Sequence, residues 1–457
     1  MTTFACSRFW ICPLIAILSA AAAPAQDKSD SISAKSLMKL ADKAQKGVEE
    51  LRGWKFKRPV KREIYTEPQL RAWIEKKIFE EQYPEAKLRR VQAFLQMTGI
   101  IPPNCDIKKT YLDVLLNQIG GFYDPATDTF YMLNRKGSGY GPLVNGMMIA
   151  HELTHALDDQ YVDLDRMMKA QPQTQDAEFA IGAVIEGSAT IVGIRYMMKG
   201  IASGEFDISE VLDVSRREME RSKPLIEAPP FFSSLMANYI AGMNFYLRGK
   251  SEIMANIELD DPSGELLLKI VKRPPTSSEQ ILHPEKYWDR DARDEPVLVD
   301  DERMAALITP AGYHVVHKDT AGELLCAILT SREDKKLNII LASQASYWTN
   351  DDAEGWGGDR FYLLSRGKNE KAAAEKLTDP RGVWMTTWDT RFDRDDFVEA
   401  YVQERELPER SVHKLGKRGA LFLFGFDQEQ AGAIAKRIDE NPPPFRSGRK
   451  PWSLNDN

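Results

Sequence analysis

Apolar residues recur at helical spacing soon after the chain leaves its strongly apolar beginning. Leu37, Leu40, Ala41, Ala44, Val48 and Leu51 fall on one face of a predicted helix. The same period runs through Thr66 to Glu81 and Glu85 to Thr98, with Trp73, Ile74, Ile78 and Phe94 facing a core. After Pro102-Pro103, Asp106 to Gln118 reads as another helix. The pattern then changes: aromatic runs on either side of Asp124-Pro125, from Gly121 to Leu133, predict a β-hairpin. A Gly-rich loop, Gly137 to Gly141, leads into a helix from about Pro142 to Asp159, and a further helix covers about Ala177 to Lys199. From about Asp300, short β-type runs alternate with helices. Val383 to Trp388 and Ala420 to Phe424 are the clearest strands, and Phe392 to Glu404 and Gln428 to Arg437 the helices after them. The expected fold is α+β. A leader and N-terminal helix (26–60) precede a predominantly helical domain with a small sheet (61–299), and a C-terminal α/β accessory region (300–457) follows.

Residues 1–25 stand apart from that fold. Arg8 gives a positive start, Trp10 to Ala23 form an apolar run, and Ala23-Pro24-Ala25 fits a small-x-small cleavage site. This predicts a signal peptide and an exported chain, periplasmic or extracellular. The alternative, an uncleaved anchor, is disfavoured because the run is short for a span. Cys6 and Cys12 leave with the signal, so Cys105 and Cys326 remain. One disulfide is possible in an oxidising compartment, but the apolar surroundings of Cys326 favour a buried small hydrophobe.

Composition narrows the class. With 43% hydrophobic and 28% charged residues the chain can bury a sizeable core, which excludes a wholly disordered or collagen-like protein. The 61 Lys+Arg against 68 Asp+Glu leave a net charge of -7, and no basic stripe suggests nucleic acid. Asp289, Asp291 and Asp294 lack the turn glycine of a calcium loop, and no Gly-x-Ser-x-Gly elbow occurs.

The most informative window is His151-Glu152-Leu153-Thr154-His155. On a helix the two imidazoles lie one turn apart on one face, so both can reach a single Zn²⁺ at about 2.0–2.1 Å. Glu152 then projects toward the open side of the metal, where it can take a proton from bound water. With six His in 457 residues, a chance match to this pattern is uncommon. A catalytic zinc needs a third protein ligand. His283, His314, His317, His413 and many acids are available, and Glu186 is the best candidate because it interrupts the apolar run Phe179 to Ile185. A carboxylate buried there must be neutralised, paired or bound to metal. A membrane-embedded protease is disfavoured, since Glu186 and Arg195 break one apolar segment and Glu152, Asp158 and Asp159 load the other with charge.

At these residues the chain resembles the gluzincin branch of the zincin metallopeptidases. More narrowly, it is similar to a little-characterised group of secreted bacterial zincin-like proteins. HELTHALDDQ (151–160) with VIEGSAT (184–190), SSEQILHPEKYW (277–288) and AEGWGGDRFYLL (353–364) carry the resemblance. It implies a zincin-like domain over 61–299, metal ligands His151, His155 and Glu186, and Glu152 as general base. In the group's pattern Gln often stands in place of Asp158 and Asp in place of Ser188, so the residues behind the ligands differ here. A downstream His or Tyr often stabilises the oxyanion in gluzincins, which makes His283 and Tyr287 candidates for that role.

Three further expectations can be checked against a structure. Asp159, four residues after His155, is placed to orient it. The strand Thr129 to Leu133 can pair with an extended peptide. Trp356 to Arg360 should pack closely against the catalytic part. The combined expectation is an exported zinc metallopeptidase acting on peptides or proteins, with no nucleic-acid partner and no transmembrane span in the mature chain. The oligomeric state is left open. The alternatives are a non-catalytic zinc-containing binding or assembly protein, and a zinc hydrolase of a non-peptide bond.

Overall fold

The computed structural model describes residues 33–133, 140–207, 209, 221–249, 263–331, 337–408, 411–442 and 445–447. Residues 1–25, read above as a signal peptide, and Gly137 to Gly139 lie outside them. The fold is α+β, with helix predominating.

The helix Ala34–Arg52 starts at Ser33, whose side chain accepts from Ser36 N–H, and stops at Gly53 in the left-handed region (φ 68°). Its buried stripe is Leu37, Ala41, Ala44 and Val48, and it continues at the same spacing to Arg52. Beyond it the strand β1 (Lys61–Tyr65) enters a three-stranded sheet, which the charged sequence KREIY does not announce. The predicted helix from Thr66 is two elements: an α-helix, Glu67–Ile74, tightens no further but widens into a π-helical turn, Glu75–Gln82. Helices Glu85–Met97 and Ile107–Gln118 follow.

The hairpin forms as read, from β2 (Gly121–Asp124) and β3 (Thr129–Leu133). The strand order is β1-β3-β2, with β1 parallel and β2 antiparallel to β3. Both edges of β3 are therefore occupied, and the expectation that Thr129 to Leu133 pairs with a peptide is corrected. The edge strands are β1 and the buried β2, which only a strand order joining residues 61–65 to 129–133 could reveal.

Two long helices pack on each other, and the first of them lies against this sheet. Pro142–Val162 begins with Pro at its first turn and ends at Asp163 in the left-handed region. Gln175–Ala202 begins at Thr174, which caps Ala177 N–H, and carries Asp176 and Glu178 in its first turn. The second helix is long and apolar enough to cross a membrane, but 89% of its most apolar window is buried within the protein. Against it lies Ala237–Tyr246, and here two glycines are required by space. A Cβ on Gly242 would stand 2.2 Å from the Ala183 carbonyl oxygen, and one on Gly187 would stand 2.3 Å from the Gly242 carbonyl carbon. The two helices thus touch backbone to backbone. Gly242→Ala should lower stability by about 1–3 kcal/mol through overpacking, although Ala is the better helix former. A melting temperature equal to wild type would contradict this close approach.

The C-terminal part is a five-stranded antiparallel sheet, ordered β5-β6-β7-β9-β8, after a short β4 (Val297–Val299). Its strands are β5 (Tyr313–Asp319), β6 (Trp356–Arg366), β7 (Thr378–Trp388), β8 (Val412–Leu415) and β9 (Gly419–Phe424). Alternation along the strands gives each face its own core. Tyr362, Leu364, Val383, Met385, Leu421 and Leu423 join helices Asp301–Ile308 and Gln428–Glu440. Phe361, Leu363, Trp384 and Phe422 join helices Gly322–Thr330 and Arg391–Glu404, and this cluster continues into that of the long helices. Phe94 against Phe361, with centroids 4.7 Å apart, is one such contact. Cys326 is buried in this core, and both Cys105 and Cys326 are free thiols.

The segment Trp356 to Arg360 is the start of β6 and makes two junctions. Gly358 runs so close to β4 that a Cβ would stand 2.5 Å from the Val297 carbonyl oxygen. Asp359 is buried and accepts from Ala321 N–H, Gly322 N–H and the indole N–H groups of Trp356 and Trp384. That carboxylate fixes the turn before Gly322–Thr330. The same turn is tied to the second long helix: Asp319 Oδ1 accepts from Gln175 N–H, and Asp176 N–H donates to Thr320 O.

Candidate metal centre

His151 and His155 leave the first long helix one turn apart, and Glu186 reaches them from the second. The Nε2 atoms of His151 and His155 lie 3.0 Å apart. Glu186 Oε2 lies 3.0 Å from His151 Nε2 and 3.5 Å from His155 Nε2. All three side chains are buried. Tetrahedral ligands at about 2.0–2.1 Å from a zinc are separated by roughly 3.3 Å. The observed triangle brackets that value, and two imidazoles with one carboxylate are a fitting donor set.

Electrostatics point the same way. Burial pushes the His155 imidazole down to about 4, favouring the neutral form that ligates metal. Burial also opposes the Glu186 anion, but the two imidazoles outweigh it and hold that carboxyl below its ordinary value.

Glu152 is fully buried beside them. Its Oε2 accepts from the backbone N–H of Tyr123 in β2 at 2.9 Å, so the hairpin strand aims the carboxylate. Its Oε1 has no hydrogen-bond partner among the described residues. Burial, and secondarily the Glu186 charge, push this carboxyl well above the ordinary range. A raised affinity for protons is what a general base near neutral pH requires.

The other sequence candidates sit elsewhere. Asp159 does not orient His155: its Oδ2 accepts from the Tyr123 hydroxyl at 2.9 Å and its Oδ1 from Leu164 N–H. Burial lifts its carboxyl to about 6. His283 pairs through Nε2 with buried Glu323 at 2.7 Å, and the Tyr287 hydroxyl donates to Arg273 O at 2.7 Å. The first bond ties the segment 273–288 to the helix Gly322–Thr330, the second closes the segment on itself, and neither residue belongs to the cluster of ligand atoms. His314 bonds the Gly367 carbonyl and His317 bonds Asp319. A second carboxylate group, Glu279, Asp294 and Asp389, surrounds the Lys286 ammonium at 2.5, 3.7 and 3.3 Å, so a side-chain cation already fills it.

Two residues behind the ligands escape the sequence reading. Arg52 places a buried guanidinium between the long helices, donating from Nε to Asp158 Oδ1 at 2.9 Å, from Nη2 to Asp158 Oδ2, and to Ser188 Oγ at 2.8 Å. Asp158 and Ser188 stand on the two different long helices. Both face the one arginine, which thereby ties the two helices together. The signal was present: Arg52 continues the buried stripe of its helix. Tyr239 stacks on His151 with centroids 5.8 Å apart, from the helix seated by Gly187 and Gly242.

A family described only as a domain of unknown function, DUF8575, matches residues 312–432, which span the five strands of the C-terminal sheet. No curated protein and no solved structure matches the chain.

Proposed function

We propose that this chain is an exported zinc metallopeptidase of gluzincin type that hydrolyses peptide bonds. The observation that carries the reading is the convergence of His151, His155 and Glu186 beside a buried, half-unpartnered Glu152. Zinc, when bound, supplies Lewis-acid polarisation of a carbonyl and acidifies a water. The chain supplies the rest. His151, His155 and Glu186 would hold the metal as its three protein ligands. Glu152, steadied by Tyr123 N–H, accepts the proton of the attacking water at Oε1 and returns a proton to the leaving amine nitrogen.

The test is zinc content and cleavage of a diverse peptide pool by the same preparation, before and after chelation. One zinc per chain, cleavage abolished by chelator and restored by zinc, is the expected result. Zinc without cleavage would favour a non-catalytic zinc protein or a hydrolase of another bond; cleavage indifferent to chelator would exclude the proposed mechanism. His155→Ala should lose the metal and lower the melting temperature with it, because ligation stabilises the folded state. A variant that keeps full zinc occupancy would remove His155 from the ligand set.

A further inference from the structure

The segment 277–288 takes no part in the metal centre, yet it carries charge into the interior between the two parts of the chain. Its helix Ser278–Leu282 packs on both the second long helix and Gly322–Thr330. Glu279 on the first of these three helices and Glu323 on the last are fully buried. Each is held through one oxygen. Lys286 Nζ donates to Glu279 Oε1 at 2.5 Å. Glu323 Oε1 lies 2.7 Å from His283 Nε2 and accepts from the Thr349 hydroxyl. The other oxygen of each carboxyl is buried with no hydrogen-bond partner among the described residues.

Two buried acids are matched by two cations only while His283 keeps its proton, since Lys286 supplies just one. The surrounding charges do not help, because they are acids. Glu285 lies 3.7 Å from His283 Nδ1, and Asp294 and Asp389 lie 3.7 and 3.3 Å from Lys286 Nζ. Asp176, from the second long helix, accepts from Ser278 N–H at 2.6 Å, and Asp359 is occupied by its four N–H donors. The helix Ala237–Tyr246 and the turn Ala345–Trp348 also pack here, and their titratable side chains are Tyr239, Tyr246 and Tyr347. A neutral His283 can still donate to Glu323, but the buried charge then goes unmatched, which is costly. Burial opposes the His283 cation, yet Glu323 outweighs it and holds the imidazole above its ordinary value. Burial, opposed by Lys286 and reinforced by the Glu323 charge, pushes the Glu279 carboxyl well above the ordinary range.

We propose that this junction is a proton-operated latch, which docks the C-terminal part on the second long helix while His283 is protonated and loosens as that proton leaves. The latch does not depend on the peptidase reading. Its sign follows from linkage. His283 and Glu279 both bind protons more tightly in the folded protein than in the unfolded chain. The stability they contribute is complete below their unfolded values and is lost as the pH rises through the folded ones. The segment 277–288 and the helix Gly322–Thr330 should therefore open first on the alkaline side.

The test follows thermal melting of the full-length protein from about pH 5 to about pH 9 for wild type, His283→Gln and Glu323→Gln. Hydrogen exchange, corrected for its own pH dependence, is read at 277–288 and 322–330 in the same proteins. Each glutamine keeps a hydrogen-bonding side chain and cannot titrate. His283→Gln leaves the Glu323 charge unmatched at every pH, so it should melt below wild type in acid and converge on it in base. Glu323→Gln removes that charge and should overtake wild type in base. Opening of the two segments in wild type should rise by up to about tenfold per pH unit between the ordinary and the raised value of His283. The helix Pro142–Val162 should show no such rise. A His283→Gln offset that stays constant with pH, or segments as protected in base as in acid, would overturn the latch. Should Glu323→Gln fail to fold, His283→Gln and the wild-type exchange profile still decide.

Discussion

Glu152→Gln should reduce peptide turnover by about 10²–10⁴-fold, while zinc content and melting temperature stay at or above wild type. The amide has the shape of the carboxylate, and its oxygen can still accept from Tyr123 N–H, so the hairpin remains tied to the first long helix. What is lost is the capacity to hold a proton at the second oxygen, which has no other partner among the described residues. Stability should not suffer, because burial and Glu186 already disfavour the Glu152 anion and a neutral side chain relieves that penalty. Turnover rates, metal content and melting temperature on matched preparations check all three claims. An active Glu152→Gln protein would assign the proton transfer elsewhere.

The second large effect concerns Arg52. Asp158→Asn leaves a guanidinium buried between the two metal helices with its bidentate partner gone, and should cost about 3–5 kcal/mol. Ser188 remains as an acceptor but brings no charge. Because Asp158 sits on the helix of His151 and His155, and Ser188 on that of Glu186, zinc affinity should fall with stability. The double change Asp158→Gln with Ser188→Asp returns a carboxylate to Arg52 from the opposite helix. It should recover most of the melting temperature lost by the single variant. A double variant no more stable than Asp158→Asn would show that Arg52 does not accept its partner from either side.

What the sequence made legible follows from locality. His151, Glu152 and His155 declare themselves because one helical turn sets their geometry, and Glu186 because a carboxylate inside an apolar run needs a partner. The hairpin was legible for the same reason, since its turn lies between its strands. The edge of the sheet was not: β1 joins β3 across more than sixty positions, and a charged strand gives no hydrophobic alternation to mark it. Asp159 shows the limit of spacing arguments. Four residues after His155 it shares a helical face, yet the Tyr123 hydroxyl arrives from another element and takes it. Arg52 lay within a helix read as part of a leader, although its place on the buried stripe marked it as interior. The boundary drawn at residue 300 marks a change of pattern, while the packed core runs across it through Leu324, Leu325 and Phe361.

The most direct measurement is diffraction from crystals of the purified protein on both sides of the zinc absorption edge. The account predicts one anomalous peak, about 2.0–2.2 Å from Nε2 of His151, Nε2 of His155 and a carboxylate oxygen of Glu186. No peak between those three side chains, or zinc held by other residues while they stand free, would contradict it.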